Sequence, residues 1–573
     1  MQNGVFVFTG SYDDKDTPKQ AGFWWHSGTA CDPECLPCKA GVGKVWYSLR
    51  KEVAHRLAEY ADEATAAVLT EVVANIQASR ALNNTSIEIP APEGLSYLPF
   101  QKAGIAYATA RPSTLIADEM GLGKTVQALG VINASPDAKR VLVVCPASLR
   151  INWQREATKW LVRPMKIHVV ESNEPIPADA TMVIVNYDRL KNGTFDYLMS
   201  QEWDVLIADE AHYLKSRKTK RGIAVFGSAA TQRDNAVPGL RSRAKRFLAL
   251  TGTPILNKPI ELHPLLAAIA PQDFAFWHFA KRYCGAKETN YGWSFDGATN
   301  LSELQDKMRA TCMVRRLKMD VLTDLPAKIR HVVVLPADHD GLKDAVREET
   351  AAWQKQEAAV IDARAKADAA KASGNAAAYK EAAGNLRDTV SFAFAEIARE
   401  RHKLAMHKTM YVIAHVNNMI DDGAKKVILF AHHLDVIEKF KCHWGDAAVV
   451  LTGDTPIAER QLAVDRFQND PTAYVFIGGI QAAGVGLTLT AASNVVFAEL
   501  SYVPAHISQA EDRAHRIGQH DSVLVQHLVV DGSLDSRMVQ TLVRKQEMAD
   551  KALDIDPSLK VSVFPSKASQ PSL

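Results

Sequence analysis

Two stretches of this chain carry the residue types from which phosphate chemistry is built. In TLIADEMGLGKTVQALG an apolar run leads into a glycine-containing loop and then into a helix-length segment. Gly121 and Gly123 let backbone N–H groups approach phosphates, Lys124 suits the β/γ oxygens, Thr125 offers a hydroxyl to Mg2+, and the helix N-terminus favours negative charge. The strict GxxxxGK[ST] spacing is not met, because Asp118 stands at the first glycine position, and GLGKT alone also fits a plain turn before a helix. Further on, DVLIADEAHYLK is an apolar strand ending in two carboxylates. Asp209 suits Mg2+, directly or through water, and Glu210 suits positioning or deprotonating an attacking water. In isolation DEAH reads better as a solvated strand end; its place behind the loop favours a metal site.

The blocks ADEMGLGKT, DEAHYLK, LTGTP, RRLKMDVLTDLP, GVGLTLTAASNVVF and QAEDRAHRIGQ occur in that order, and together they resemble the Swi/Snf-type ATPases of helicase superfamily two over about residues 95–550. The first block of that family itself carries Asp-Glu before Gly-x-Gly-Lys-Thr, which implies that Asp118 belongs to the ATP site. The resemblance further implies that Gln101, beside Phe100, contacts adenine, and that Thr251, Gly252 and Thr253 couple hydrolysis to DNA contact. It also implies that Gly484 and Gly486 form a turn facing the cleft. Gln509, Arg513 and Arg516 fall at i, i+4 and i+7, near one face of a helix. Arginine suits neutralising charge on a transferred phosphoryl group, because its fork stays protonated and pairs with oxygen twice. Arg516 is the first candidate for that task; a solvated basic face is the plainer reading.

What the resemblance implies as function is ATP-dependent movement along double-stranded or branched DNA, with ATP and Mg2+ as cofactors. Remodelling or reannealing in repair, replication or recombination is expected rather than strand separation. Within the family, the compact length and aromatic N-terminal segment look closest to bacterial or phage members and to annealing helicases with a HARP-type domain. A strand-separating helicase or restriction-type translocase subunit would share both phosphate blocks, and a non-enzymatic DNA clamp would require a degenerate ATP site.

These side chains need a scaffold of two α/β lobes. Short apolar runs (TLIAD, RVLVVCP, TMVIVN, DVLIADE, RFLALTGTP) alternate with helix-length segments, the pattern of a buried parallel sheet. The alternation resumes with KVILFAH, AAVVLTG, YVFIGG, NVVFAE and VLVQHLVV. The expected fold is α/β: two RecA-like parallel-sheet lobes with helical insertions and a small N-terminal αβ appendage. Its expected units are an appendage over 1–90, a first lobe over 91–325 with a helical protrusion near 255–320, a helical linker over 326–420, a second lobe over 421–555 and a tail over 556–573. The loop and carboxylates lie on one lobe and the arginines on the other, so assembly of the site requires closure of the cleft.

At 573 residues, with 47% hydrophobic and 23% charged residues and no run of eighteen apolar ones, the chain reads as globular, intracellular and cytoplasmic, not membrane-spanning. A net charge of +2 excludes a globally cationic DNA binder, so a local surface must serve. Residues 214–246 hold ten basic side chains (Lys215, Arg217, Lys218, Lys220, Arg221, Arg233, Arg241, Arg243, Lys245, Arg246) against one acid, Asp234. This run is the candidate track for DNA phosphates, with Lys215, Arg217 and Lys218 beside the DEAH block foremost. Seven cysteines do not suggest a disulfide framework. His26, Cys31, Cys35 and Cys38 form H-x4-C-x3-C-x2-C, which suits either one structural Zn2+ or a reduced, metal-free thiol loop.

Overall fold

The computed structural model describes residues 5–8, 15–21, 23–26, 45–48, 50–83, 87–171, 175–228, 235–252, 258–289, 292–322, 325–326, 328–337, 339–373, 375–480, 487–501, 504–536 and 539. The appendage is a three-stranded antiparallel sheet of β1 (Phe6–Phe8), β2 (Trp24–His26) and β3 (Val45–Ser48), ordered β1-β3-β2. The helical segment that follows breaks at Ala61, whose backbone is extended, and restarts as the helix Glu63–Arg80. Asp62 causes the restart: its carboxylate accepts from the Thr65 N–H at 2.7 Å and caps the new helix. That helix packs through Val72 and Ile76 on Ala310 of the helix Leu301–Thr311. The Arg56 guanidinium donates to Asp306 at 2.7 Å, so the appendage is docked on the first lobe's protrusion.

The first lobe is built on β4 (Ser113–Ile116), β5 (Val141–Cys145), β6 (Ile167–Val169), β7 (Met182–Asn186), β8 (Trp203–Asp209) and β9 (Ala244–Leu250). A hairpin of β10 (Lys287–Thr289) and β11 (Gly292–Ser294) decorates the protrusion, and β12 (Met313–Val314) returns to the sheet. The sheet order is β12-β4-β9-β8-β5-β7-β6, with every pairing parallel. Strands such as VLVVC and MVIVN are buried at every residue because helices cover both faces, with one apolar core on each side. Neighbouring β4, β9 and β8 end together, which brings the glycine loop, Thr251 and Asp209 to one edge, where open α/β sheets bind ligands.

The second lobe repeats the plan with β13 (Lys328–Leu335), β14 (Val427–Ala431), β15 (Ala448–Leu451), β16 (Val475–Gly479), β17 (Asn494–Phe497) and β18 (Val523–Val530). Their parallel order is β13-β18-β17-β14-β16-β15. This corrects the expected boundary: the second sheet takes its first strand from residues assigned to the helical linker. KIRHVVVL is an edge strand, mostly exposed, so it lacks the continuous apolar signature of the interior strands. Two long helices, Asp340–Ala372 and Ala376–Asp421, fill the rest of that linker and pack along each other. Among the described residues, no helix is long and apolar enough to cross a membrane.

Candidate active site

The loop after β4 takes its shape from two glycines with left-handed backbones, Gly121 (φ 86°) and Gly123 (φ 74°). Gly123 caps the helix Lys124–Asn133, so Lys124 and Thr125 stand in its first turn. Lys124 Nζ donates to the carbonyls of Asp118 at 2.9 Å and Glu119 at 3.3 Å. Burial lowers the pKa of the Lys124 ammonium, while Glu210, Asp118 and Asp209 oppose the shift.

Asp209 ends β8 with both oxygens engaged: Trp153 Nε1 donates to one at 2.7 Å and the Glu210 N–H to the other at 2.8 Å. Burial, reinforced by the Glu210 charge, raises the Asp209 carboxyl to about 6. Glu210 has a left-handed backbone (φ 48°), a strained conformation for a side chain of this kind at a functional edge. Burial pushes Glu210 upward, but His212, Lys124 and Arg513 together hold it below its ordinary value. His212 Nδ1 lies 3.2 Å from Glu210 Oε2 and 3.1 Å from Thr251 Oγ1, linking the carboxylates to the end of β9. A β-carbon on Gly252 would fall 2.6 Å from Met120 Cγ and 3.1 Å from Lys124 Nζ, so only glycine lets this turn lie against the nucleotide loop.

The second lobe closes the cleft. Arg513 and Arg516 line one cavity together with Gly121, Gly123, Lys124, Thr125, Asp209 and Glu210. A β-carbon on Gly121 would lie 3.1 Å from Arg516 Cγ, so the two lobes touch at the loop itself. Arg513 donates to the carbonyls of Gln509 (2.9 Å) and Leu487 (3.2 Å), and Arg516 to the Leu487 carbonyl and the Thr488 hydroxyl (both 3.0 Å). Arg516 Nε is buried with no hydrogen-bond partner among the described residues. Burial, then the Arg516 charge, lowers Arg513 to about 9, and an anion between the two guanidiniums would favour their charged forms. The donor set fits a nucleotide phosphate with Mg2+: a backbone cradle, one lysine, two arginines, the Thr125 hydroxyl and the Asp209 carboxylate.

Other expected residues stand elsewhere. Asp118 is fully buried, where the Arg316 guanidinium pairs with it and Gln127 Nε2 donates to it at 2.8 Å. Its carboxylate braces the loop from beneath and is turned away from the cavity, which corrects the expectation of contact with ATP. Gln101 is buried behind the loop, accepting from the Leu98 N–H at 3.0 Å and donating to the Leu122 carbonyl at 3.3 Å. Gln509 is buried under the arginines. Thr253, Gly484 and Gly486 lie outside the described residues. Trp153, Asn152, Glu156 and Arg316 were not foreseen: the first props Asp209, the next two line the cavity, and the last neutralises Asp118.

Residues 100–343 match the SNF2-related domain and residues 411–518 the helicase conserved C-terminal domain. The first match holds Lys124, Asp209, Glu210 and Thr251, and the second holds Arg513 and Arg516. The chain is 36% identical over 473 residues to the DNA annealing helicase and endonuclease ZRANB3 of Bos taurus, covering 80% of this chain and 40% of that one. It is 34% identical over 466 residues to the SWI/SNF-related matrix-associated actin-dependent regulator of chromatin subfamily A-like protein 1 of Xenopus tropicalis, covering 80% of this chain and 45% of that one. The chain belongs to the Swi/Snf-type ATPases. It spans less than half the length of these two relatives. Among solved structures, the Sulfolobus solfataricus SWI2/SNF2 ATPase core in complex with dsDNA is similar over 82% of this chain and 100% of that chain, at 21% identity and a TM-score of 0.36.

In this Swi/Snf-type chain the basic run expected to meet DNA is divided between two ends of the sheet. Lys215, Arg217, Lys218 and Lys220 are exposed just beyond the DEAH block, with Lys215 paired to Glu261 at 3.2 Å. Arg241, Arg243, Lys245 and Arg246 instead gather at the start of β9, a strand's length of about 20 Å from the cleft edge. They are engaged there with Ser113, Glu202, Asp204 and the Ala108 carbonyl, which corrects the reading of all ten as one track. Arg233 lies outside the described residues, as do Cys31, Cys35 and Cys38 of the candidate zinc set. His26 is buried in β2 opposite Val45, its ring edge-on to Tyr47 at 6.1 Å.

Proposed function

We propose that this chain hydrolyses ATP in the interlobe cleft and uses the resulting opening and closing to move along double-stranded DNA, remodelling or reannealing it. The observation that carries the reading is the convergence of Lys124, Asp209 and Glu210 from one lobe with Arg513 and Arg516 from the other on a single cavity. Lys124 and the loop N–H groups would hold the β- and γ-phosphates, and Thr125 with Asp209 would hold Mg2+. When bound there, Mg2+ would supply charge neutralisation to the phosphates. Glu210 would orient the attacking water, and Arg513 and Arg516 would meet the charge that develops as the γ-phosphoryl group departs. The exposed Lys215, Arg217 and Lys218, one turn beyond Glu210, would hold DNA phosphates without reading sequence. His212 and Thr251 connect this segment to the turn after β9, where Gly252 lies against the nucleotide loop.

One of the curated relatives is described as a DNA annealing helicase and endonuclease, which supports reannealing over strand separation. The test is ATP turnover of the full chain on duplex, single-stranded and forked DNA. Stimulation by duplex and forks is expected. Equal stimulation by single strands would favour a strand-separating helicase, and no stimulation by any DNA would end the reading.

A further inference from the structure

The block RRLKMDVLTDLP enters no step above, yet one of its side chains spans both lobes. Lys318 is 3% exposed. Its backbone N–H donates to Glu119 Oε2 at 2.7 Å, fastening it to the nucleotide loop. Its Nζ donates to Asp512 Oδ1 at 2.9 Å and to the His515 carbonyl at 2.6 Å. Asp512 and His515 immediately precede Arg513 and Arg516 in the chain. Gly121 faces both side chains: a β-carbon there would lie 3.4 Å from Lys318 Cε and 3.1 Å from Arg516 Cγ.

Two further cations complete the cluster. Lys328 Nζ lies 2.9 Å from Asp512 Oδ1 and 3.2 Å from Glu511 Oε2, and Arg330 Nε donates to both Glu511 oxygens at 2.9 Å. These two belong to β13 and therefore travel with the second lobe. Lys318 alone in this set is anchored to the first lobe. The hydrogen bonds of Arg513 and Arg516 run to second-lobe oxygens, so their reach toward the loop is set by contacts that cross the cleft.

We propose that Lys318 is a positioning residue for the two arginines: gripping Asp512 and the His515 carbonyl, it sets the depth to which Arg513 and Arg516 enter the site when the lobes close. The proposal rests on the assignment of ATP hydrolysis to this cleft. Separating the lobes strips Lys318 Nζ from both acceptors, so the contact belongs to the closed arrangement. Small errors in placing a group that acts in the transition state are costly in rate, about a hundredfold for a displacement near 1 Å.

The test uses the full chain and Lys318→Met, which keeps the aliphatic stem and removes only the ammonium. Asp512 retains Lys328, so no buried carboxylate is orphaned and the variant is expected to fold with a melting temperature near that of wild type. In DNA-stimulated ATP turnover its kcat should fall by about tenfold or more while KM for ATP stays within about threefold. Lys318→Arg should recover most of the loss. In an Arg516→Lys background, where slower turnover is still measurable, Lys318→Met should cost clearly less than it does in wild type, because the part of its effect that runs through Arg516 is already lost. A fully active Lys318→Met variant would overturn the proposal. So would losses that multiply in the double variant, or a loss of melting temperature and ATP affinity with kcat unchanged, the mark of a structural tie. A wild-type chain lacking DNA-stimulated turnover would remove the hydrolysis reading and the proposal with it, a result distinct from an active variant.

Discussion

Both lobes place arginines around the nucleotide loop, but they neutralise them in opposite ways. On the first lobe, Arg316 is 1% exposed and shares its guanidinium between Asp118 and Gln127. On the second, Arg513 and Arg516 rest on carbonyls and one hydroxyl, with no carboxylate paired to either among the described residues. An arginine matched by a buried carboxylate has its charge spent on architecture. One cradled by neutral oxygens keeps its charge for a ligand. The difference separates the residues that hold the loop in shape from those that act on what the loop binds.

The strongest way to break the comparison is to remove the ligand-facing cations. Lys124→Ala and Arg516→Ala should each reduce DNA-stimulated ATP turnover by about a thousandfold or more, with folding by circular dichroism unchanged. Near wild-type rates in either variant would refute the roles given to them. The converse substitution, Arg316→Met, should act on stability first. It strands the Asp118 carboxylate in a fully buried site, and about 3–5 kcal/mol of loss is expected in denaturant unfolding. Unchanged stability would erase the distinction between the two kinds of arginine.

A third buried charge sharpens the contrast at smaller scale. Glu349, 1% exposed on the helix Asp340–Ala372, accepts from the Leu534 N–H at 2.8 Å, while nearby Arg401 and Lys408 are paired with Asp535. Burial raises its carboxyl to about 7, from an ordinary value of 4.5. Between those two values the folded chain keeps a proton that the unfolded chain has lost. Stability therefore falls as pH rises across that window, by up to roughly 3–4 kcal/mol, and stays at the lower level above it. Glu349→Gln should flatten this slope in unfolding curves measured at pH 5 and pH 8; an identical slope in the variant would count against the assignment.

Much of this was legible in the residues themselves. The interior strands of both sheets announce themselves as continuous Val- and Ile-rich runs because both of their faces are covered. The strands that escaped notice are β6 with three residues, β12 with two, and β13, whose edge position leaves most of KIRHVVVL exposed. The motif residues around the cavity were legible because each acts within a short block. Their partners were not: Arg316 meets Asp118, Trp153 meets Asp209 and Lys318 meets Asp512 across 198, 56 and 194 residues. A single sequence holds no local mark of such pairs. Asp118 shows the cost: its place in the motif suggested ligand contact, and only its distant partner reveals that it supports the loop from below.

The paired helices that leave the second lobe between β13 and β14 have 33 and 46 residues, about 50 and 69 Å at 1.5 Å per residue. They form a stiff boom rooted in a body that swings when the cleft shuts. The pair packs on the second lobe as far as Glu349 and Arg401, and a tilt of roughly 10° at that root carries a point about 35 Å further out through about 6 Å, well beyond the travel at the arginines. Small rotations at the nucleotide thus become large excursions at the boom's far end.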